Sequence, residues 1–311
     1  MEDSLMSFGA TVAQIMSLFL IMIVGYIMNK KGIIDDAANV RYTRLILNIS
    51  LPAQIIKAFI ENQGIVSNQV VLMVFGISIA AYAIYGIVGA VFVFLTKVPK
   101  RQRGTYMFMM MFGNVGYMGF PVIQAILGDE AMIYAVIFNV VFNVLVYSMG
   151  IVLINSNESE AHFEIKKLLN VPFISALISI VLYFTNIKLP DMVMDSLDIM
   201  GNMTTPVAML ILGSTIANMP IRELFDEWRI YIFTIFKLAI IPIIAILLMK
   251  LVPVESELIT GCMIILSATP VATNTTMLAI EYGGDIKLGS KGVFFTTILC
   301  MITIPLITAI Y

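Results

Sequence analysis

The stretch Met111–Leu127, MFGNVGYMGFPVIQAIL, places three glycines, an asparagine and a proline inside a chain that is hydrocarbon on either side of it. Proline removes a backbone donor and clashes with the carbonyl four residues back, and each glycine weakens a helix further. Gly113, Gly116, Gly119 and Pro121 therefore predict an unwound segment within an apolar span. In lipid a freed N–H or C=O group costs several kcal/mol, so irregular backbone persists only where protein buries it or where it lines a wet cavity.

The rest of the chain sets that expectation in a membrane. Of the 311 residues, 60% are hydrophobic and 12% charged, against about 25% charged in soluble domains; the mean hydropathy is +0.97. A helix needs about 20 apolar residues to cross roughly 30 Å of hydrocarbon. Runs of that kind recur from Phe8 to Ile310 and leave little chain for a soluble domain. The first residues, MEDSLMSFGATVAQ, show no positive n-region and no small-residue cleavage pattern, so they read as the start of a retained helix. Cys262 and Cys300 lie in apolar runs without metal-ligand or paired spacing and read as packing residues.

Charged and turn-forming clusters divide the chain into ten predicted spans, 8–29, 36–60, 68–96, 103–128, 130–154, 169–187, 191–217, 226–252, 256–281 and 288–310. Lys and Arg collect in short cytoplasmic loops. Here 14 of the 18 fall in the odd-numbered loops: Lys30, Lys31, Arg41 and Arg44; Lys97, Lys100, Arg101 and Arg103; Lys166 and Lys167; Arg222 and Arg229; Lys287 and Lys291. The pattern predicts an even number of spans with both termini outside a multi-pass membrane protein, most simply one of a bacterial cytoplasmic membrane.

Prolines disclose a repeat. Pro52 in span 2 and Pro206 in span 7 are 154 residues apart, and Pro121 in span 4 and Pro270 in span 9 are 149 apart, each close to half the chain. Five spans per half means that the second half inserts upside down, the inverted-topology repeat of secondary transporters. The expected fold is all-α, with a first repeat at 1–154, a cytoplasmic linker at 155–168 and a second repeat at 169–311.

Span 9 should break between Ala268 and Asn274 as span 4 does around Gly113 to Gly119. Matched broken helices are the sequence pointer to a substrate site near the midplane. Pro121 suits the first turn of one half-helix, and Thr273 or Asn274 the N-cap of another. Both then turn their partially positive ends inward, a geometry that attracts an anion. Asn114, Gly116, Pro121, Pro270, Thr273 and Asn274 are accordingly candidate substrate-binding residues, with Pro52, Gly113, Gly119 and Pro206 as structural breaks.

At GNVGYMGFP (113–121) and SATPVATNTTMLAIEYGGD (267–285) the chain resembles the auxin efflux carrier family over essentially its full length. The resemblance implies a 5+5 inverted repeat similar to bile-acid symporters and sodium/proton antiporters, with spans 4 and 9 crossing as broken partners. It also implies transport of organic acids such as malate or malonate, the cargo described for bacterial members. A long regulatory loop, as in plant members, is absent between the halves, so neither loop phosphorylation nor auxin itself is implied.

Other polar residues within spans were weighed on their own. Lys237 lies eight residues past Arg229, roughly 12 Å into span 8. Substrate neutralisation, bracing of carbonyls freed by a broken helix, and snorkelling to the cytoplasm are all compatible with it. Asn139 and Asn143, at i and i+4, share one face of span 5 and serve either packing or the site. Gln14, Asn48 and Asn202 are weaker candidates, and such amides and hydroxyls also suit sodium coordination. No acidic residue stands clearly at mid-span, which disfavours an exchanger built on a buried aspartate pair. His162 falls in a polar loop.

Nucleophile, base and metal motifs of intramembrane enzymes are missing. The reading is a secondary transporter of a small organic anion, a mono- or dicarboxylate such as malate or malonate or an auxin-like acid, working by alternating access, rather than an enzyme. A sodium-coupled symporter of another anionic solute and a passive anion channel are its alternatives. No cofactor and no nucleic acid is expected; the partners are the anion and the lipid bilayer, with sodium or proton coupling, a metal site and a homodimer left open.

Overall fold

A computed structural model describes residues 16–17, 20–61, 63–64, 67–155, 171–185, 187–218, 225–251 and 256–310. Gln14, His162, Arg222, Lys166, Lys167 and all of the expected linker except Asn155 lie outside them. Among the described residues the fold is all-helical. The first half contains α1 (Leu20–Lys30), α2 (Asp36–Leu45), α3 (Leu51–Ile60), α4 (Asn68–Leu95), α5 (Lys100–Met111), α6 (Phe120–Leu127), α7 (Met132–Leu145) and α8 (Ile151–Asn155). The second contains α9 (Val171–Thr185), α10 (Asp191–Gly201), α11 (Thr204–Ala217), α12 (Trp228–Ile235), α13 (Ile241–Leu251), α14 (Glu257–Ser267), α15 (Asn274–Tyr282) and α16 (Ile286–Ile310).

Five continuous segments are long and apolar enough to cross a bilayer: Gln69–Leu95, Met132–Asn155, Asp191–Ala217, Trp228–Leu251 and Ile286–Ile310. The remaining apolar segments are shorter, or are cut by breaks such as those after Met111 and Ser267.

Proline shapes several spans through π turns rather than open kinks. The five-residue π turns Ile46–Ser50, Val115–Gly119 and Phe236–Ile240 each end two residues before a proline, Pro52, Pro121 and Pro242 respectively. A π turn pairs each N–H one residue further back than an α turn does, so the wider register stands where proline has no N–H to offer. Pro206 instead occupies the first turn of α11, where its missing donor costs nothing.

Lipid supplies little hydrophobic drive between helices, so close packing at small residues carries more of the association. α1 meets α11 in this way: a Cβ at Gly213 would sit 1.9 Å from the Met22 carbonyl oxygen, and one at Gly25 would sit 2.3 Å from that of Leu210. α3 runs against α9 and α10, and α4 against α5 and α7. Aromatic rings fix the end of α5: Phe112 packs on Phe108, Tyr82 and Phe142 at centroid distances of 4.8, 5.7 and 5.9 Å.

One acid that the sequence reading passed over lies within an apolar segment. Asp198 in α10 pairs with Lys57 of α3, which also reaches Glu61 at 3.4 Å. The Asp198 side chain is 40% exposed, so the pair joins the two helices at a partly exposed position and does not form a buried acid site.

Candidate functional site

α5 stops at Met111 because Phe112 turns to extended backbone, φ −104° and ψ 106°. α14 stops at Ser267, and Thr269 and Pro270 continue without helix. The two interruptions lie side by side: Gly113 and Val271 form an antiparallel bridge. Asn114 N–H donates to the Pro270 carbonyl at 2.7 Å, and Ala272 N–H donates to the Phe112 carbonyl at 3.1 Å. Each break thereby satisfies part of the backbone that the other frees, as a dry interior requires.

Helices around the breaks supply further partners. The Thr296 hydroxyl of α16 accepts from Val271 N–H at 3.0 Å. The Lys237 ammonium, 1% exposed, donates to the Met110 carbonyl at 3.0 Å, on the last turn of α5. A Cβ at position 113 would lie 2.3 Å from Thr269 Oγ1 and 3.5 Å from Lys237 Nζ. Glycine is thus required there for the two backbones to approach.

Beside this pairing is a cavity of about 50 Å³, walled by residues of α3, the first break, α7 and the second break. Among the described residues its polar side chains are Gln54, Asn114, Asn139, Asn143, Thr273 and Asn274, and none in the wall is charged. Asn114, Thr273 and Asn274 are 2%, 1% and 5% exposed. Asn114 Nδ2, Thr273 Oγ1 and Asn274 Oδ1 have no hydrogen-bond partner among the described residues. Asn274 Nδ2 donates to the Tyr147 hydroxyl at 3.1 Å, and Asn143 Nδ2 donates to the Asn139 carbonyl one turn back at 2.8 Å. Thr273 caps α15, so the positive end of that helix is part of the wall.

Gly113, Asn114, Gly116, Asn139, Asn143, Thr273 and Asn274, singled out from sequence, all line this one cavity. Pro270 stands behind it, with its carbonyl turned to Asn114. Pro121 is the second residue of α6, and its side chain lies outside the described part of the structure. Gly119 is a packing position, where a Cβ would come 2.6 Å from Leu266 Cδ2. Lys237 is outside the wall, its ammonium spent on the Met110 carbonyl. Asn48 and Asn202 are exposed, and Asn48 bonds back to the Arg44 carbonyl. Gln54 was missed, although its place in LPAQ, two residues after a mid-span proline, is the same kind of signal that pointed to Asn114.

Comparison with known proteins agrees with this architecture. A family model described as membrane transport protein matches residues 10–308, and the chain belongs to that family, the auxin efflux carrier type. An uncharacterized transporter of Methanocaldococcus jannaschii is 24% identical over 303 residues, covering 94% of this chain and 96% of the relative. Another, from Methanothermobacter thermautotrophicus, is 22% identical over 312 residues, with 97% and 98% covered. A provisionally named malonate transporter of Rhizobium meliloti is 23% identical over 231 residues, 72% of each chain. The protein is therefore an integral membrane transporter and not an enzyme.

Proposed function

We propose that the protein carries a small carboxylate across the membrane by alternating access and binds it in the cavity where 112–114 meet 270–274. One observation carries the reading. Three buried polar atoms without partners belong to Asn114, Thr273 and Asn274, and all three residues line one small space between interrupted helices. Unpaired buried polar groups are expensive, and a ligand that pairs with them recovers the cost.

The size of the space supports a compact solute. One water takes about 10–15 Å³ on the measure used for such cavities, so about 50 Å³ holds a few heavy atoms. Among carboxylates this favours compact ones, of which malonate, the cargo in the name of the Rhizobium meliloti relative, is an example.

The same reading takes the chain as ten spans in two inverted repeats, 1–154 and 169–311, joined by the linker at 155–168. Packing supports a conformation closed at the Lys- and Arg-rich end, which the charge bias assigns to the cytoplasm with both termini outside. At that end α15 packs on α2 and α11, whereas α6, on the opposite side of the break, packs mainly on α7 and α14. The wall residues Leu51, Gln54 and Ile55 of α3 lie on the same side as α6.

Reconstitution in lipid vesicles with labelled malonate tests the function. Saturable uptake, accelerated by unlabelled malonate on the far side and weakened at least tenfold in Asn114→Leu, is expected. Flux linear in concentration would make the protein a channel instead. Comparing sodium with potassium in the same assay reads out sodium coupling.

A further inference from the structure

The cavity wall has a chemistry more specific than attraction of an anion. Of its three unpaired atoms, Asn114 Nδ2 is a donor, Thr273 Oγ1 is a hydroxyl and Asn274 Oδ1 is an acceptor only. Among the described residues no lysine, arginine or histidine joins them. The buried ammonium of Lys237 is not in the wall; it would lie 3.5 Å from a Cβ at Gly113 and donates to the Met110 carbonyl. Positive potential in the wall therefore comes from the start of α15, a nine-residue helix, whose end is equivalent to roughly half a unit charge. That complements one carboxylate. A second bare carboxylate would be buried without a counter-charge, which is prohibitive.

The acceptor adds a further condition. Asn274 is 5% exposed and lines the cavity, and its Nδ2 donates to the Tyr147 hydroxyl, which leaves Oδ1 as its unpaired atom. A plain carboxylate has nothing to donate to it. We propose that the solute this cavity selects is a singly charged carboxylic acid that also carries an O–H donor. A hydroxymonocarboxylate meets that description, and so does a dicarboxylate retaining one proton. In it the carboxylate accepts from Asn114 Nδ2 and the Thr273 hydroxyl, while the solute O–H donates to Asn274 Oδ1. A dicarboxylate bound so brings its own proton across, with no titrating side chain in the wall.

The inference rests on the carboxylate reading of the cavity, and titration calorimetry on the purified protein separates the two. Glycolate and acetate differ by one hydroxyl and are both ionised at neutral pH. Glycolate should bind wild-type protein about tenfold or more tightly than acetate, because acetate leaves a buried acceptor unpaired. Malonate should bind more tightly as the pH falls toward the range where it keeps one proton. In Asn274→Ala the advantage of glycolate over acetate should shrink to less than about twofold, whatever the substitution does to both. Equal binding of glycolate and acetate by wild-type protein would overturn the proposal, and is also what the opposite orientation of the Asn274 amide produces. Malonate affinity independent of pH would overturn it as well. Binding of none of the three acids would refute the carboxylate site itself. The wild-type comparisons hold even where the variant fails to fold.

Discussion

The two interruptions face each other but are maintained differently. The first, after Met111, is opened by glycine and followed by the π turn Val115–Gly119 before α6 resumes; its spare carbonyl at Met110 is taken by an ammonium. The second, after Ser267, is opened by Pro270 and passes straight into α15 at Asn274; its spare N–H at Val271 is taken by a hydroxyl. Both outside partners, Lys237 and Thr296, come from the second half of the chain. Two breaks that look alike in the sequence thus differ in how their backbone is satisfied, and the second half of the chain does more of the bracing.

Substitutions can break that comparison in graded steps. The largest effect is expected for Gly113→Ala, whose methyl meets Thr269 Oγ1 at 2.3 Å. Overpacking of this kind costs about 1–3 kcal/mol, and here it also pushes the paired backbones apart. Thermal stability in detergent should fall sharply and malonate uptake per folded molecule should vanish; normal uptake would show that the close approach is dispensable.

Next comes Thr296→Val, nearly isosteric, which strips the acceptor from Val271 N–H. An orphaned buried N–H is tolerated less well than an orphaned carbonyl, and about 1–2 kcal/mol should be lost. Faster amide exchange confined to 270–272 would identify the cause, and unchanged exchange there would contradict it.

Lys237→Met should matter less to stability. It removes a charge-assisted bond to Met110 but also removes a buried ammonium whose desolvation opposes folding, so the two contributions offset to within about 1 kcal/mol. Its midpoint should shift less than that of Thr296→Val; a greater loss would mean that the ammonium serves more than this one carbonyl.

The smallest effect is expected at Arg44, which holds Glu281 of α15 at 3.1 Å with a side chain 64% exposed. Such pairs contribute at most about 1 kcal/mol and are screened by salt. Arg44→Ala should leave the melting temperature nearly unchanged, and any shift should disappear at high ionic strength.

Much of this region was legible before the coordinates. Glycine and proline in hydrocarbon announce a break by their own backbone chemistry, and an amide at a break has few reasons to be there other than a polar space. Asn114, Thr273 and Asn274 were therefore readable one residue at a time. Lys237 was not, because sequence shows how deep an ammonium lies along its helix but not which way a long, flexible side chain turns. Thr296 was hidden among the ordinary hydroxyls of an apolar span; only the three-dimensional position of Val271 makes it special. The π turns were equally silent, since they depend on how a following proline and its neighbours share hydrogen-bond register.

The pairing of the two breaks also has a consequence for how the protein is made. Asn114 leaves the ribosome 156 residues before the Pro270 carbonyl that it will bond. At about 5–20 residues per second, translation takes roughly 8–30 s to deliver that partner. Throughout that interval the first half holds an unfinished seam of polar backbone at membrane depth. Release into lipid before the second half arrives would strand it, so the insertion machinery or trapped water must shelter this seam until the chain is nearly complete.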